Sequence, residues 1–211
     1  MLQKIKGVRK GKSVARIFMD EDMKNFSVRG KTLDIGGARK PDYIHEIKKD
    51  SNFSLEIIDG LLNPIDFEKD ALPFGDATFD SALMCNVLEH IYNHNFLVAE
   101  AHRILKPGGS LVGFVPFLVQ YHPDPEDYFR YTEKALQTIF EKANFTNIVV
   151  RRVGIGPFMV HCNNLLQRLP LFIRPFFFAW NYALDALYAK LKPNVKKHFP
   201  LGYSFQVEKR T

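Results

Sequence analysis

The sequence predicts an α/β domain, a mostly parallel sheet covered by helices on both faces. Three observations predict it. Short apolar runs alternate with helical patterns from Lys31 to Val150, and that alternation builds parallel sheets through crossover helices. The first of these runs ends in glycines, Gly36 and Gly37, as do strands that bring a ligand to their carboxyl ends. With 211 residues, 46% of them hydrophobic, the chain suits one large domain or two very small ones and is too apolar for disorder.

The elements follow in order. Residues 1–29 carry eight Lys/Arg and three acids and read as a basic N-terminal segment ahead of a domain over 30–211. No apolar stretch follows the opening MLQKIKGVRKGK, so no secretory signal is expected. Strands are predicted at Thr32–Ile35, Leu55–Ile58, Phe79–Cys85, Ser110–Val115 and Asn147–Val150. Leu97, Val98, Ala101, Ile104 and Leu105 recur at three- and four-residue steps, which predicts a helix from about Glu89 to Leu105. A second helix is predicted from Glu133 to about Asn144, with Thr132 as its N-cap. Leu105-Lys-Pro-Gly-Gly109 reads as a helix stop and turn.

Segment 157–200 differs. It holds nine of the 28 aromatics, with six Lys/Arg and one acid. Its longest uncharged runs, 157–167 and 175–184, are eleven and ten residues, about half of the roughly 20 that span a bilayer. An aromatic-rich helical insertion is expected here, with Pro170 and Pro175 breaking it into short helices. Alternating Tyr203, Phe205 and Val207 predict a last strand.

The net charge of +6 is carried by the two flanks, which leaves residues 30–156 acidic. The flanks suit phosphate, an anionic membrane or nucleic acid, while the middle reads as an acidic enzyme body. Cys85 and Cys162 form neither a disulfide framework nor a metal spacing, so a cytoplasmic setting is the default. His90 and His94 lie four apart on the predicted helix, the spacing of a metal pair. No third ligand accompanies them, so a structural use and no metal are expected.

Thr32-Leu-Asp-Ile-Gly-Gly-Ala38 is a strand running into small residues, where a backbone can approach a ligand closely. A dinucleotide fingerprint would need G-x-G-x-x-G. From Gly36 this chain reads G-G-A-R-K-P, with Pro41 in the last glycine slot, which argues against NAD. The next strand ends in Asp59, placed to accept from ribose hydroxyls.

Asp34-Ile-Gly-Gly-Ala38, Asp70-Ala-Leu-Pro-Phe-Gly-Asp-Ala-Thr-Phe-Asp80, Asn86-Val-Leu-Glu-His90 and Leu105-Lys-Pro-Gly-Gly109 occur in that order. Together they resemble class I S-adenosylmethionine-dependent methyltransferases of the type 11 kind, over roughly Lys31 to Phe145. The resemblance implies a Rossmann-like, seven-stranded, mostly parallel sheet and S-adenosylmethionine as cofactor. It implies that Asp34, Gly36, Gly37 and Ala38 hold the methionine end and Asp59 the ribose. Asp70 would accept from the adenine amino group, with Ala71 and Leu72 flanking the ring. Asn86 and Val87 would line the floor beside the methyl group. Ala38 stands where the family usually has a second loop glycine, and Asp34 could equally cap the loop amides.

After the fifth strand comes a proline-stiffened loop, Val115 to Thr132, with Pro116, Pro123 and Pro125. It is similar to the H-x-x-P-x-D-Y-x-R-Y-T signature of a methyltransferase subgroup often linked to cell-surface glycan or glycolipid synthesis. His122, Pro125, Asp127, Tyr128, Arg130, Tyr131 and Thr132 match it. His122 and Asp127 are candidates for removing a hydroxyl proton, and Tyr128, Arg130 and Tyr131 for touching the acceptor. The opposing reading is an Asp–Arg pair that braces the loop.

The expected function is methylation of oxygen on a glycan, glycolipid or related polar metabolite. Alternatives are a quinone or lipid acceptor, suggested by the aromatic insertion, and a cofactor-binding protein without turnover. Nucleic acid is not expected as a partner, since no RNA module accompanies the basic flanks. Segment 157–200 is expected to cover the acceptor pocket and to meet either a membrane surface, peripherally, or a second copy in a homodimer.

Overall fold

The computed structural model describes residues 1–37, 41–60 and 65–211. Helices α1 (Leu2–Arg9) and α2 (Val14–Met23) lead into β1 (Ser27–Val28), β2 (Lys31–Ile35), β3 (Lys48–Lys49), β4 (Ser54–Ile58) and β5 (Phe79–Cys85). Then come α3 (His94–Ile104), β6 (Leu105–Pro116), α4 (Glu133–Lys142) and β7 (Phe145–Val153). Helices α5 (Pro157–Leu166), α6 (Arg174–Leu191) and α7 (Val195–His198) precede β8 (Gly202–Lys209).

The main sheet runs β4-β2-β5-β6-β8-β7, parallel through its first four strands, with β8 antiparallel to both neighbours. It has six strands among the described residues, not the seven expected, and β1 and β3 pair separately. Residues 65–78, between β4 and β5, form neither strand nor helix. Asp66 and Asp70 are bound to backbone N–H groups within this stretch, and Pro73 and Gly75 interrupt any strand-length apolar run.

Side-chain alternation along β5 and β6 splits the core in two. Ala82, Met84, Leu111 and Val115 pack under Leu97, Val98 and Ala101 of α3 and Leu136 and Phe140 of α4. Leu83, Cys85, Val112 and Phe114 face the other way, against Val14, Ile17 and Phe18 of α2, Met159 and Cys162 of α5 and Phe178 of α6. Helices therefore cover both faces. Asp185 of α6 joins the second layer together: its carboxylate accepts from Phe158 N at 3.1 Å and Met159 N at 2.7 Å, satisfying orphan N–H groups at the start of α5.

Three boundaries differ from the sequence expectation. Helix α3 begins at His94, and residues 88–90 form a 3-10 turn instead. The Glu68 carboxylate, distant in sequence, accepts from Tyr92 N and Asn93 N, both at 2.6 Å, and so caps the later start. His90 and His94 consequently do not share a helix. Leu105-Lys-Pro-Gly-Gly109 is not a turn between elements but a bulge inside β6, where the register jumps from Phe79↔Leu105 to Ser81↔Ser110. Gly108 takes φ +73° there and its carbonyl accepts from Arg29 Nη2 at 2.6 Å. Pro175 opens α6 instead of breaking it, and the helix then runs 18 residues. Thr132 does cap α4, accepting from Ala135 N.

Candidate functional site

Strands β2, β4, β5 and β6 all end on one edge of the sheet, as parallel neighbours must. Just beyond them lies a cavity of about 540 Å³, bordered by Gly36, Asp59, Phe67, Asn86, Val87 and Tyr128. A second cavity of about 390 Å³ adjoins it, bordered by Arg16, Met19, Phe114, His122, Asn163 and Gln167. Asn86, His90 and Asp124 border both. A larger hollow, about 710 Å³, lies between α1 and α2, away from the strand ends.

The turn after β2 is tight. Gly36 has φ +72°, and a Cβ there would lie 2.6 Å from Val87 Cγ2. A Cβ on Gly37 would lie 2.3 Å from Asp34 Oδ2. Neither position admits a side chain without displacement, and Gly36 borders the cavity. Ala38, expected in the same turn, lies outside the described residues. Asp34 is fully buried under the turn, and Tyr43 Oη donates to its carboxylate at 2.6–2.7 Å. Burial raises the Asp34 carboxyl to about 7, while the Tyr43 hydrogen bond and the charge of Arg16 pull it down.

Asp59, Asn86 and Val87 border the first cavity as expected. Asn86 holds φ +55°, a left-handed conformation that Asn tolerates better than most residues. Asp70, Ala71 and Leu72 are not among the described residues bordering it. Asp70 is exposed and accepts from Asp66 N at 2.9 Å. Leu72 is in the core, its N–H donating to Glu100 Oε2 at 2.8 Å. Asp66 and Phe67 occupy the wall instead.

In the loop after β6, the Asp127 carboxylate accepts from Arg130 Nη1 and Nη2 and from His122 N. The Arg130 guanidinium holds the Asp127 carboxyl down at about 2, which makes it a weak base. Tyr131 is buried and donates to Leu88 O at 3.0 Å, whereas Tyr128 is exposed at the first cavity. His122 is half-buried beside the second. Its Nδ1 contacts Gln120 O at 3.0 Å, with Arg130 Nη2 at 3.4 Å, and its Nε2 lies 3.9 Å from Glu89 Oε1. The Glu89 carboxylate raises the His122 imidazole above its ordinary value.

Sequence reasoning gave no role to Glu89, Tyr43 or Arg16. Glu89 sits between apolar Leu88 and the histidine, an acid inside the buried stretch after β5, and that anomaly was the available signal. Tyr43 and Arg16 reach the site through folding and carry no local mark.

Residues 47–113, under half of the chain, match the family model described as a methyltransferase domain. The curated O-methyltransferase cnsE of Penicillium expansum is 40% identical over 55 residues, which cover 26% of this chain and 19% of that protein. Among solved structures, an S-adenosylmethionine-dependent methyltransferase of Archaeoglobus fulgidus superposes with TM-score 0.55 at 14% identity, covering 92% of this chain and 94% of that one. Phosphoethanolamine N-methyltransferase 2 of Haemonchus contortus, in complex with phosphomonomethylethanolamine and S-adenosylhomocysteine, gives TM-score 0.55 at 18% identity, with 92% and 52% covered. The [4+2]-cyclase SpnF gives 0.53 at 15%, with 93% and 82% covered. The shared property is the Rossmann-like methyltransferase fold, which one of these neighbours carries under the name of a cyclase.

Proposed function

We propose that this chain is an S-adenosylmethionine-dependent methyltransferase acting on oxygen of a glycan, glycolipid or related polar metabolite. The observation that carries the reading is the pair of adjoining cavities that meet at Asn86 and His90 on the carboxyl edge of a parallel sheet. One side fits the cofactor: the Gly36–Gly37 cradle has no room for a Cβ, and Asp59 stands at the end of the next strand. When bound there, the cofactor supplies an electrophilic methyl group. The chain's own residues bind and orient. Gly36 and Gly37 let the backbone approach the methionine end, Asp59 accepts from ribose hydroxyls, and Asn86 and Val87 form the floor. Tyr128 stands at the rim of the first cavity, beside the cofactor site, and Arg130 acts through Asp127, holding the loop at its working position. His122 faces the second cavity and is the proton acceptor that geometry favours over Asp127. Positioning supplies much of the acceleration in such transfers.

Met19, Phe114 and Val119 give the second cavity an apolar wall, which supports the second reading, a quinone or lipid acceptor. The chain is then expected to work in the cytoplasm with a peripheral membrane contact. Among the described residues no helix is long and apolar enough to cross a membrane.

Calorimetric titration with S-adenosylmethionine, S-adenosylhomocysteine and NAD tests the cofactor. Binding of either sulfur ligand and none of NAD is expected. Binding of NAD alone overturns the reading. Mass spectrometry of co-purified ligands would identify the acceptor, and cofactor binding with no turnover on any co-purified acceptor would favour a binding protein.

A further inference from the structure

Glu89 is a fully buried carboxylate, and neither of its oxygens has a hydrogen-bond partner. Leaving a buried carboxylate unsatisfied costs several kcal/mol, roughly, unless a cation or donor sits against it. Two imidazoles converge on it. His90 Nε2 lies 3.6 Å and His122 Nε2 3.9 Å from Glu89 Oε1, too far for hydrogen bonds. The ligand atoms of all three residues fall within 4.8 Å of one another. The outer nitrogens are engaged with backbone carbonyls: His90 Nδ1 with Glu126 O at 2.5 Å and His122 Nδ1 with Gln120 O at 3.0 Å. The shorter contacts are to the carbonyls, 3.0 Å for His122 against 3.4 Å to Arg130 Nη2, so with the N–H at Nδ1 each Nε2 keeps a lone pair, which is how metal-binding histidines are held in the ligating tautomer. Two lone pairs and a carboxylate oxygen then face one another, an arrangement that repels without a proton or a metal cation between them.

We propose that Glu89, His90 and His122 form a binding site for a divalent first-row transition ion of the zinc class. Bonds of about 2.0–2.1 Å put ligand atoms of such ions roughly 3.0–3.4 Å apart, so rings 5.4 Å between centroids and at 86° need only small rotations to close. Two imidazoles and one carboxylate leave coordination positions open, the pattern of catalytic and not of structural sites. His90 borders both cavities and His122 the second, so the open positions lie where the acceptor would meet the cofactor. The role of the ion rests on the methyltransferase reading, and with the ion bound His122 serves as its ligand instead of as proton acceptor: the ion would orient an acceptor oxygen and lower the pKa of its hydroxyl. The site itself does not depend on that reading.

The test is titration of the chelator-stripped full chain with Co²⁺, without cofactor or acceptor, followed by visible absorption and calorimetry. One equivalent per chain is expected, with a ligand-field spectrum of nitrogen and oxygen donors. Glu89→Gln and His122→Asn should each weaken binding at least tenfold, while His198→Asn, an exposed histidine on α7, should leave it unchanged. His122→Asn alters only a half-exposed loop side chain, so it stays informative if Glu89→Gln disturbs folding. Absence of stoichiometric binding, or binding that neither variant weakens, overturns the proposal. Cofactor binding by a chain that takes no Co²⁺ removes the ion site and leaves the methyltransferase reading intact, and the reverse result does the opposite.

Discussion

Asp34 carries a carboxyl group that burial pushes up to about 7, against about 3.9 in an unfolded chain. Between those values the folded protein holds a proton that the unfolded chain has released, so this group's contribution to stability falls as pH rises through that window. Tyr43 opposes the loss by donating to the carboxylate, and a hydrogen bond to a charged group is stronger than one to a neutral acid. Tyr43→Phe is therefore expected to cost about 2 kcal/mol at pH 8 and clearly less at pH 5, where Asp34 is protonated. Urea denaturation at the two pH values measures it, and equal losses would remove the role given to Tyr43. His122 and Asp127 separate in a different way. Asp127 is saturated by Arg130 and the His122 N–H, so Asp127→Asn should lower turnover by loosening the loop, and His122→Ala by removing a group at the acceptor. Both should keep cofactor affinity within about tenfold, or 1.4 kcal/mol. Full activity in both variants would leave the loop with bracing alone. Of these residues, Asp34 and Asp127 were legible as motif members, whereas the Tyr43–Asp34 bond was not, because nothing local to Tyr43 marks it.

Helix α6 has two unlike sides. Phe178, Asn181 and Asp185 are buried, and Asp185 caps α5. On the other side Phe176 and Trp180 are 78% and 67% exposed, with Leu187 and Leu191 continuing the stripe. An apolar stripe of this kind on a basic segment fits an anionic membrane surface or a second copy. The chain is expected to float with anionic liposomes or to scatter as a dimer, and Phe176→Ser with Trp180→Ser should abolish either behaviour without affecting cofactor binding. A monomer that ignores liposomes at low and physiological salt would leave only the covering role, to which α5 contributes Asn163, and its C-cap Gln167, at the second cavity. Composition marks an aromatic-rich, basic segment here. It did not foresee an 18-residue helix, because Pro175 reads the same whether it breaks a helix or begins one, and only the packed first turn decides.

At the scale of the whole molecule, the sheet order and the two-layer core place four strand ends and the loop after β6 on one edge. That convergence makes the site, and the basic N-terminal residues take part in it: α2 brings Arg16 and Met19 to the second cavity, after Ser13 caps its start by accepting from Arg16 N. The sequence by itself determined the α/β class, the strands β2, β4 and β5, helix α4 and the glycine turn. These rest on local regularities: buried parallel strands are continuous apolar runs, an N-cap sits beside its helix, and a tight turn at positive φ takes glycine. Only the tertiary structure decided the six-strand sheet, the bulge within β6, the start of α3 and the meeting of Glu89, His90 and His122. Each depends on a partner far along the chain. Glu68 caps α3 from outside it, Arg29 holds Gly108, and His122 reaches Glu89 from 33 positions away. Long-range contacts of this kind leave no periodic trace in a sequence, because their geometry exists only once the sheet has brought its strand ends together.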